Sequence, residues 1–204
     1  GERHDFDVLE KAVPVDDSVT LRNATFERGG WTVVGPNSRL ILENLVDADL
    51  SNEAFPWMTA QTVTVGLASD VRMMRINYEG ELGWELYHPI SYNLHLFDEI
   101  TKAGASHGLR LCGYRAIESL RLEKSYRAMY RDMDIEHTAL ESGLDRFIKL
   151  DKDHFVGKDA LVRQQDRGLT QRMVTLQVET IDADAYMNEA VYRNSKLTGR
   201  VTSG

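Results

Sequence analysis

The stretch Asn77-Tyr78-Glu79-Gly80-Glu81-Leu82-Gly83-Trp84-Glu85-Leu86 constrains the fold more than any other. Two glycines interrupt an aromatic and acidic run. Strand-like sequence lies on both sides, Val71 to Asn77 (VRMMRIN) before it and Trp84 to His88 (WELYH) after it. Gly80 and Gly83 can take positive φ without a Cβ clash, so the pattern predicts a tight β-hairpin. On residue types alone, the acidic side chains of such a hairpin need do no more than face water.

The rest of the chain alternates strand and helix signals. β-Branched residues gather at Val19 to Thr25 and Gly30 to Val34, and Thr62 to Leu67 is strand-like. Gly35-Pro36 predicts a helix start, since proline at the first position removes an N–H that is unsatisfied anyway. Leu40, Ile41 and Leu45 follow at helical spacing through Leu50. Ser91 suits an N-cap for a helix with Leu94, Phe97 and Ile100 on one side and Gly104 at its end.

Another helix is expected from about Tyr114 to Met129, with Ile117, Leu120 and Tyr126 apolar and Glu123 and Arg127 at i,i+4 spacing. Lys158 to Arg167 reads as a further helix, ended by Gly168. From Gln171 the chain turns β-rich (MVTLQV, EAVYR, LTGRVT), with Asn194-Ser195 as a hairpin connection. The order strand, helix, strands, helix resembles a split βαβ unit. An α+β chain is therefore expected, with a boundary near Gly168 between residues 1–168 and 169–204.

Composition narrows function by exclusion. A net charge of −8 on 204 residues means that nucleic-acid binding would need a local basic patch. Arg121, Lys124, Arg127 and Arg131 cluster, but Glu118, Glu123, Asp132 and Asp134 interleave with them, which reads as a mixed helical face. A single cysteine, Cys112, rules out an intrachain disulfide and a cysteine metal cluster. His4, His88, His95, His107, His137 and His154 have neither HxH nor HExxH spacing, so no zinc site is expected. The nucleophile elbow, the P-loop and the dinucleotide-binding GxGxxG are absent too. No run approaches the ~20 apolar residues of a membrane span, and no signal-like segment opens the chain. The expectation is no nucleic-acid or membrane partner, in a reducing cytoplasm or a mitochondrial matrix.

The run YEGELGWEL resembles the tyrosine–glycine–glutamate hairpin of the folate-binding aminomethyltransferase family, whose type member is the T protein of the glycine cleavage system. Glu118 to Lys124 (ESLRLEK) is similar to that family's SLRLE helix, and Ala139 to Asp145 (ALESGLD) to its PLEAGL turn. Phe155 to Leu161 (FVGKDAL) resembles its FIGKEAL helix start, and Arg200 to Gly204 (RVTSG) its GxVTSG strand. These blocks occur in family order from about residue 28 to residue 204. LGWEL, SLRLEKSYR and LSNEAFPWMTA look most like the folate half of dimethylglycine and sarcosine dehydrogenases or oxidases.

That resemblance implies a ferredoxin-like split βαβ folate-binding domain over 1–168, followed by the start of a small C-terminal β-barrel over 169–204. It implies one-carbon (aminomethyl) transfer to tetrahydrofolate, forming 5,10-methylenetetrahydrofolate, with folate and a methylated amine as small-molecule partners. FAD would belong to a domain ahead of this chain. Opening without methionine and stopping within a strand pattern, the chain reads as an internal piece whose remaining partner is the rest of the same polypeptide. Two alternatives share the resemblance: a non-catalytic folate-binding module of the iron–sulfur maintenance type, and a folate-dependent demethylase.

The resemblance also implies site residues. Glu85 would accept two pterin N–H groups as a bidentate, charge-assisted pair. Tyr78 would lie against the ligand and offer its hydroxyl, and Trp84 would wall the pterin. Arg115 is the candidate for the anionic tail, although the family arginine falls at the position of Ile117. The two positions differ by roughly 200° around a helix. Arg121 matches the arginine of SLRLE and is expected in a structural ion pair. The family's catalytic aspartate, which would stabilise positive charge near the folate nitrogen, has no match in residues 1–30, so no catalytic residue is assigned.

Overall fold

Buried positions in the computed structural model, which describes residues 1–204, fall in two compact units. The first comprises Gly1–Asn77 and Glu81–Leu111, the second Tyr78–Gly80 and Cys112–Gly204. Both mix helix and strand, so the chain is α+β. The boundary expected near Gly168 falls inside the second unit.

The first unit runs α1 (Glu2–Ala12), β1 (Arg28–Val34), α2 (Ser38–Leu42), β2 (Ala60–Val65), β3 (Ala68–Met74), β4 (Gly83–Pro89) and α3 (Asn93–Gly104). Its strands form a sheet in the order β1-β4-β3-β2, antiparallel at every pairing. In a split βαβ unit the two strands beside the helix run parallel with one strand between them. Here β1 and β2, which flank α2, stand at opposite edges of the sheet with both β4 and β3 between them.

Strand alternation sends Val33, Val63, Val65, Val71, Met73, Trp84 and Leu86 to one side, where they form one cluster with Ile41 and Leu42 of α2 and Leu96 and Ile100 of α3. Each such side chain taken from water contributes about 1.5–3 kcal/mol. On α3 the buried stripe is Leu96, Ile100 and Gly104, one step round from the predicted one, and Leu94 is exposed.

Local chemistry explains where these elements stop. The helix predicted from Pro36 to Leu50 is only Ser38–Leu42. Beyond it Val46 bridges to Val65, and the Asp47 carboxylate accepts the Thr64 N–H at 2.8 Å. Joining the sheet edge satisfies this backbone as well as another helical turn would. The strand predicted at Val19 to Thr25 does not form. Gly66, at φ +57°, makes the short β2–β3 turn, and His95 Nε2 accepts the Leu67 N–H there at 3.1 Å.

Gly83 does not take positive φ as expected; it opens β4 in extended form. A Cβ there would meet Val34 Cγ1 at 2.5 Å, so the glycine serves the close approach of β1 to β4.

The second unit contains α4 (Tyr114–Glu123), α5 (Lys158–Arg167) and the hairpin β5 (Ala190–Arg193) and β6 (Lys196–Arg200). Asn194 and Ser195 both take positive φ (50° and 61°), as a two-residue hairpin turn requires. MVTLQV forms no strand. α4 stops at Glu123 because Ser125 sits at φ +56°, outside helical geometry, instead of running to Met129.

Only Ala128 and Leu140 are buried apolar side chains in this unit, and its largest fully buried side chain is Arg121. Arg121 forms the expected ion pair, donating to Asp132 Oδ2 at 2.6 Å and Glu118 Oε2 at 2.7 Å, and it also donates to the Tyr126 carbonyl at 2.9 Å. Asp132 accepts from the Ala128 N–H at 2.9 Å and from the Ser203 hydroxyl at 2.9 Å. Arg131 adds a second cation to Glu118 at 2.8 Å.

Candidate functional site

β4 carries two of the expected site residues, and strand geometry separates them. Successive side chains point to opposite faces. Trp84 therefore goes to the core face with Leu86 and His88, whereas Glu85 and Tyr87 go to the other. Glu85 is half-buried and stands opposite Thr32 of β1 and Met74 of β3. Its Oε2 accepts the Tyr87 hydroxyl at 2.7 Å. That bond, with burial second, pushes the Tyr87 phenol up to about 12. What results is an oriented carboxylate on a sheet face without a hydrophobic cover of its own, with one oxygen unengaged.

Trp84 does not wall that face. It is 0% exposed within the core cluster. Arg39 and Arg75 place their guanidinium carbons 5.7 and 5.9 Å from its ring centroid. Both donate to Asn52 Oδ1, at 2.8 and 2.7 Å, and Arg75 also donates to the Phe55 carbonyl at 2.7 Å. Burial and then the Arg39 charge hold Arg75 below the usual arginine range. The indole N–H has no partner, so packing and these cations hold the ring in the core.

A cavity of about 390 Å³ near Arg39 is lined by Glu43, Asp49 and Glu53 as well, and includes none of the expected residues. Three carboxylates against one arginine disfavour an anionic ligand there.

Tyr78 and Arg115 belong to the second unit. The Tyr78 hydroxyl donates to the Arg127 carbonyl at 2.9 Å, so its proton is already committed, and burial pushes its pKa up. The ring stacks on Tyr126 at 6.3 Å between centroids. Beside it Gly80, at φ +75°, accommodates the Lys124 side chain, which a Cβ would overlap. Arg115 lies exposed on the first turn of α4.

Trp84 and Glu85 thus share one strand of the first unit on opposite faces, while Tyr78 and Arg115 lie in the other unit. Sequence reading did not single out Tyr87. The signal was present in W-E-L-Y-H, where an i,i+2 pair on a strand must share a face.

Residues 1–152 match the model of the GCVT N-terminal domain. The chain is 39% identical over 206 residues to human mitochondrial dimethylglycine dehydrogenase, covering all of this chain and 24% of that protein. It is 41% identical over 182 residues to mouse mitochondrial sarcosine dehydrogenase, covering 89% of this chain and 20% of that protein. To the aminomethyltransferase of Thermoanaerobacter sp. (strain X514) it is 32% identical over 186 residues, covering 91% and 50%. The chain spans about a quarter of the length of the dehydrogenase relatives. With three-quarters of its length matched by one family model, it belongs to the GCVT N-terminal domain family, alongside aminomethyltransferases and dimethylglycine and sarcosine dehydrogenases.

Proposed function

We propose that this chain is the folate domain of a dimethylglycine- or sarcosine-dehydrogenase-like enzyme, and that it binds the tetrahydrofolate that takes up the one-carbon unit released from a methylated amine. The product is 5,10-methylenetetrahydrofolate. The observation that carries the reading is Glu85, a half-buried carboxylate held on the face of β4 away from the core. A carboxylate there fits the donor-rich edge of a pterin, because charge-assisted, paired N–H···O bonds give both affinity and orientation.

Residues 1–168 form the folate-binding part in this reading, and the 190–200 hairpin opens a C-terminal β-barrel. Tyr78 contributes its ring face and a hydroxyl lone pair, since its proton is engaged. Trp84 supports Glu85 from the core side, and Arg115 is the exposed cation for the folate tail. FAD belongs to another part of the polypeptide. No helix is long and apolar enough to cross a membrane, and the mitochondrial names of the relatives favour the matrix as the location.

Calorimetric titration of the full polypeptide with tetrahydrofolate tests the reading. Glu85→Ala should weaken binding by about 2–4 kcal/mol, through loss of a charge-assisted pair and an unpaired partner on the ligand. Unchanged affinity in a folded Glu85→Ala protein would refute it.

A further inference from the structure

We infer that Tyr87 is a positioning residue of the folate site, holding the Glu85 carboxylate in the orientation that receives the pterin. The inference rests on the folate reading of Glu85 above. Glu85 and Tyr87 are two residues apart on β4 and share the face opposite the core. A glutamate on an open sheet face would sample many rotamers, and ligand binding would have to restrict them. The Tyr87 hydroxyl removes that freedom by donating to Oε2 at 2.7 Å.

The phenol is itself held. Tyr87 pairs in register with Gly30 of β1, and a Cβ added at Gly30 would stand 3.6 Å from Tyr87 Cδ1 and Cε1. The ring therefore lies over the Gly30 backbone, close enough that a Cβ there would be in van der Waals contact with it. On the other flank Tyr87 pairs with Arg72 of β3. A rigid ring with few rotatable bonds thus anchors a flexible carboxylate.

The chemistry leaves room for a ligand. An ionised carboxylate offers about four lone-pair sites, and the phenol takes one on Oε2. Oε1 and the second lone pair of Oε2 still accept two parallel N–H groups. A phenol keeps its proton throughout the physiological range, so the hydroxyl is a donor to the ionised carboxylate there.

Tetrahydrofolate affinity of the full polypeptide is measured for wild type, Tyr87→Phe, Glu85→Asp, the double variant Glu85→Asp with Tyr87→Phe, and Glu85→Ala, each checked by its melting transition. Tyr87→Phe keeps the ring on Gly30 and should weaken binding about tenfold with the fold intact. Glu85→Asp withdraws the carboxylate from the phenol, so adding Tyr87→Phe to it should change affinity less than twofold. If Tyr87→Phe binds like wild type while Glu85→Ala loses binding, the positioning role is overturned and the folate reading stands. If Glu85→Ala binds like wild type, both fall. Equal tenfold losses from Tyr87→Phe in the wild-type and Glu85→Asp backgrounds would also overturn it, because Tyr87 would then act without the glutamate.

Discussion

The two units are stabilised in opposite ways. The first packs an apolar cluster on one face of an antiparallel sheet, with Phe55, Val65, Val71, Met73, Trp84 and Leu86 fully shielded from water. The second buries almost no apolar side chain and closes around Arg121, Glu118 and Asp132. Apolar packing is non-directional and tolerates conservative change, whereas a buried ion network is stable only while every partner is present. The first unit should therefore respond to lost volume, and the second to lost charge or altered pH.

The sharpest way to break that contrast is Arg121→Ala, which strands two buried carboxylates and should cost about 3–5 kcal/mol. All three tryptophans, Trp31, Trp57 and Trp84, lie in the first unit. Tryptophan fluorescence should then stay native-like while hydrogen exchange opens α4 and its surroundings. Native protection of α4 in this variant would show that the network is dispensable.

The mirror experiment is Leu86→Ala, expected to cost about 2–5 kcal/mol through lost burial and a residual cavity. Here the tryptophan-monitored denaturation midpoint should fall, with exchange in α4 unchanged. A midpoint equal to wild type would mean that the sheet core is looser than its burial implies.

Acid should also separate the units. Burial alone would raise Asp132, but hydrogen bonds from Thr202, the Ala128 N–H and Ser203, together with the Arg121 charge, hold it below the ordinary carboxylate value. Glu118 is likewise opposed by burial yet lowered by its bonds to Arg121 and Tyr114 and by the Arg131 charge. Such groups stabilise the fold fully above their unfolded pKa values, about 3.9 and 4.3, and lose that contribution as pH falls through the lower folded values. Below about pH 4, α4 should lose exchange protection before β2, β3 and β4 do. Simultaneous loss would contradict the assignment.

The smallest effect is expected from Tyr78→Phe. It deletes the bond to the Arg127 carbonyl and should cost the second unit about 1 kcal/mol, read as a modest drop in its denaturation midpoint. A loss several times larger would place Tyr78 inside the network and not at its margin.

Several elements were legible because their signals are local. α5 begins after Gly157 and ends at Gly168, and the β5–β6 hairpin turns at Asn194-Ser195, where short-range conformational preference decides. The face of β4 on which Glu85 lies follows from strand alternation alone. What was misread depended on distant partners. The helix after Pro36 gives way where Val46 meets Val65, and Val19 to Thr25, with strand-like composition, pairs with no strand. Trp84 read as a ligand wall because the motif does not say which face holds the core.

By itself the sequence determined the family, the α+β character and the arginine that seeks an ion pair at position 121. These rest on residue identity, short spacing and charge. Only the tertiary structure decided the all-antiparallel order β1-β4-β3-β2, the side of β4 on which Trp84 is buried and the phenol that holds Glu85. The division into an apolar and an ionic unit was likewise decided there. Strand order and face selection depend on which distant segments exclude water together, and that free energy belongs to the assembled packing, not to any local window of residues.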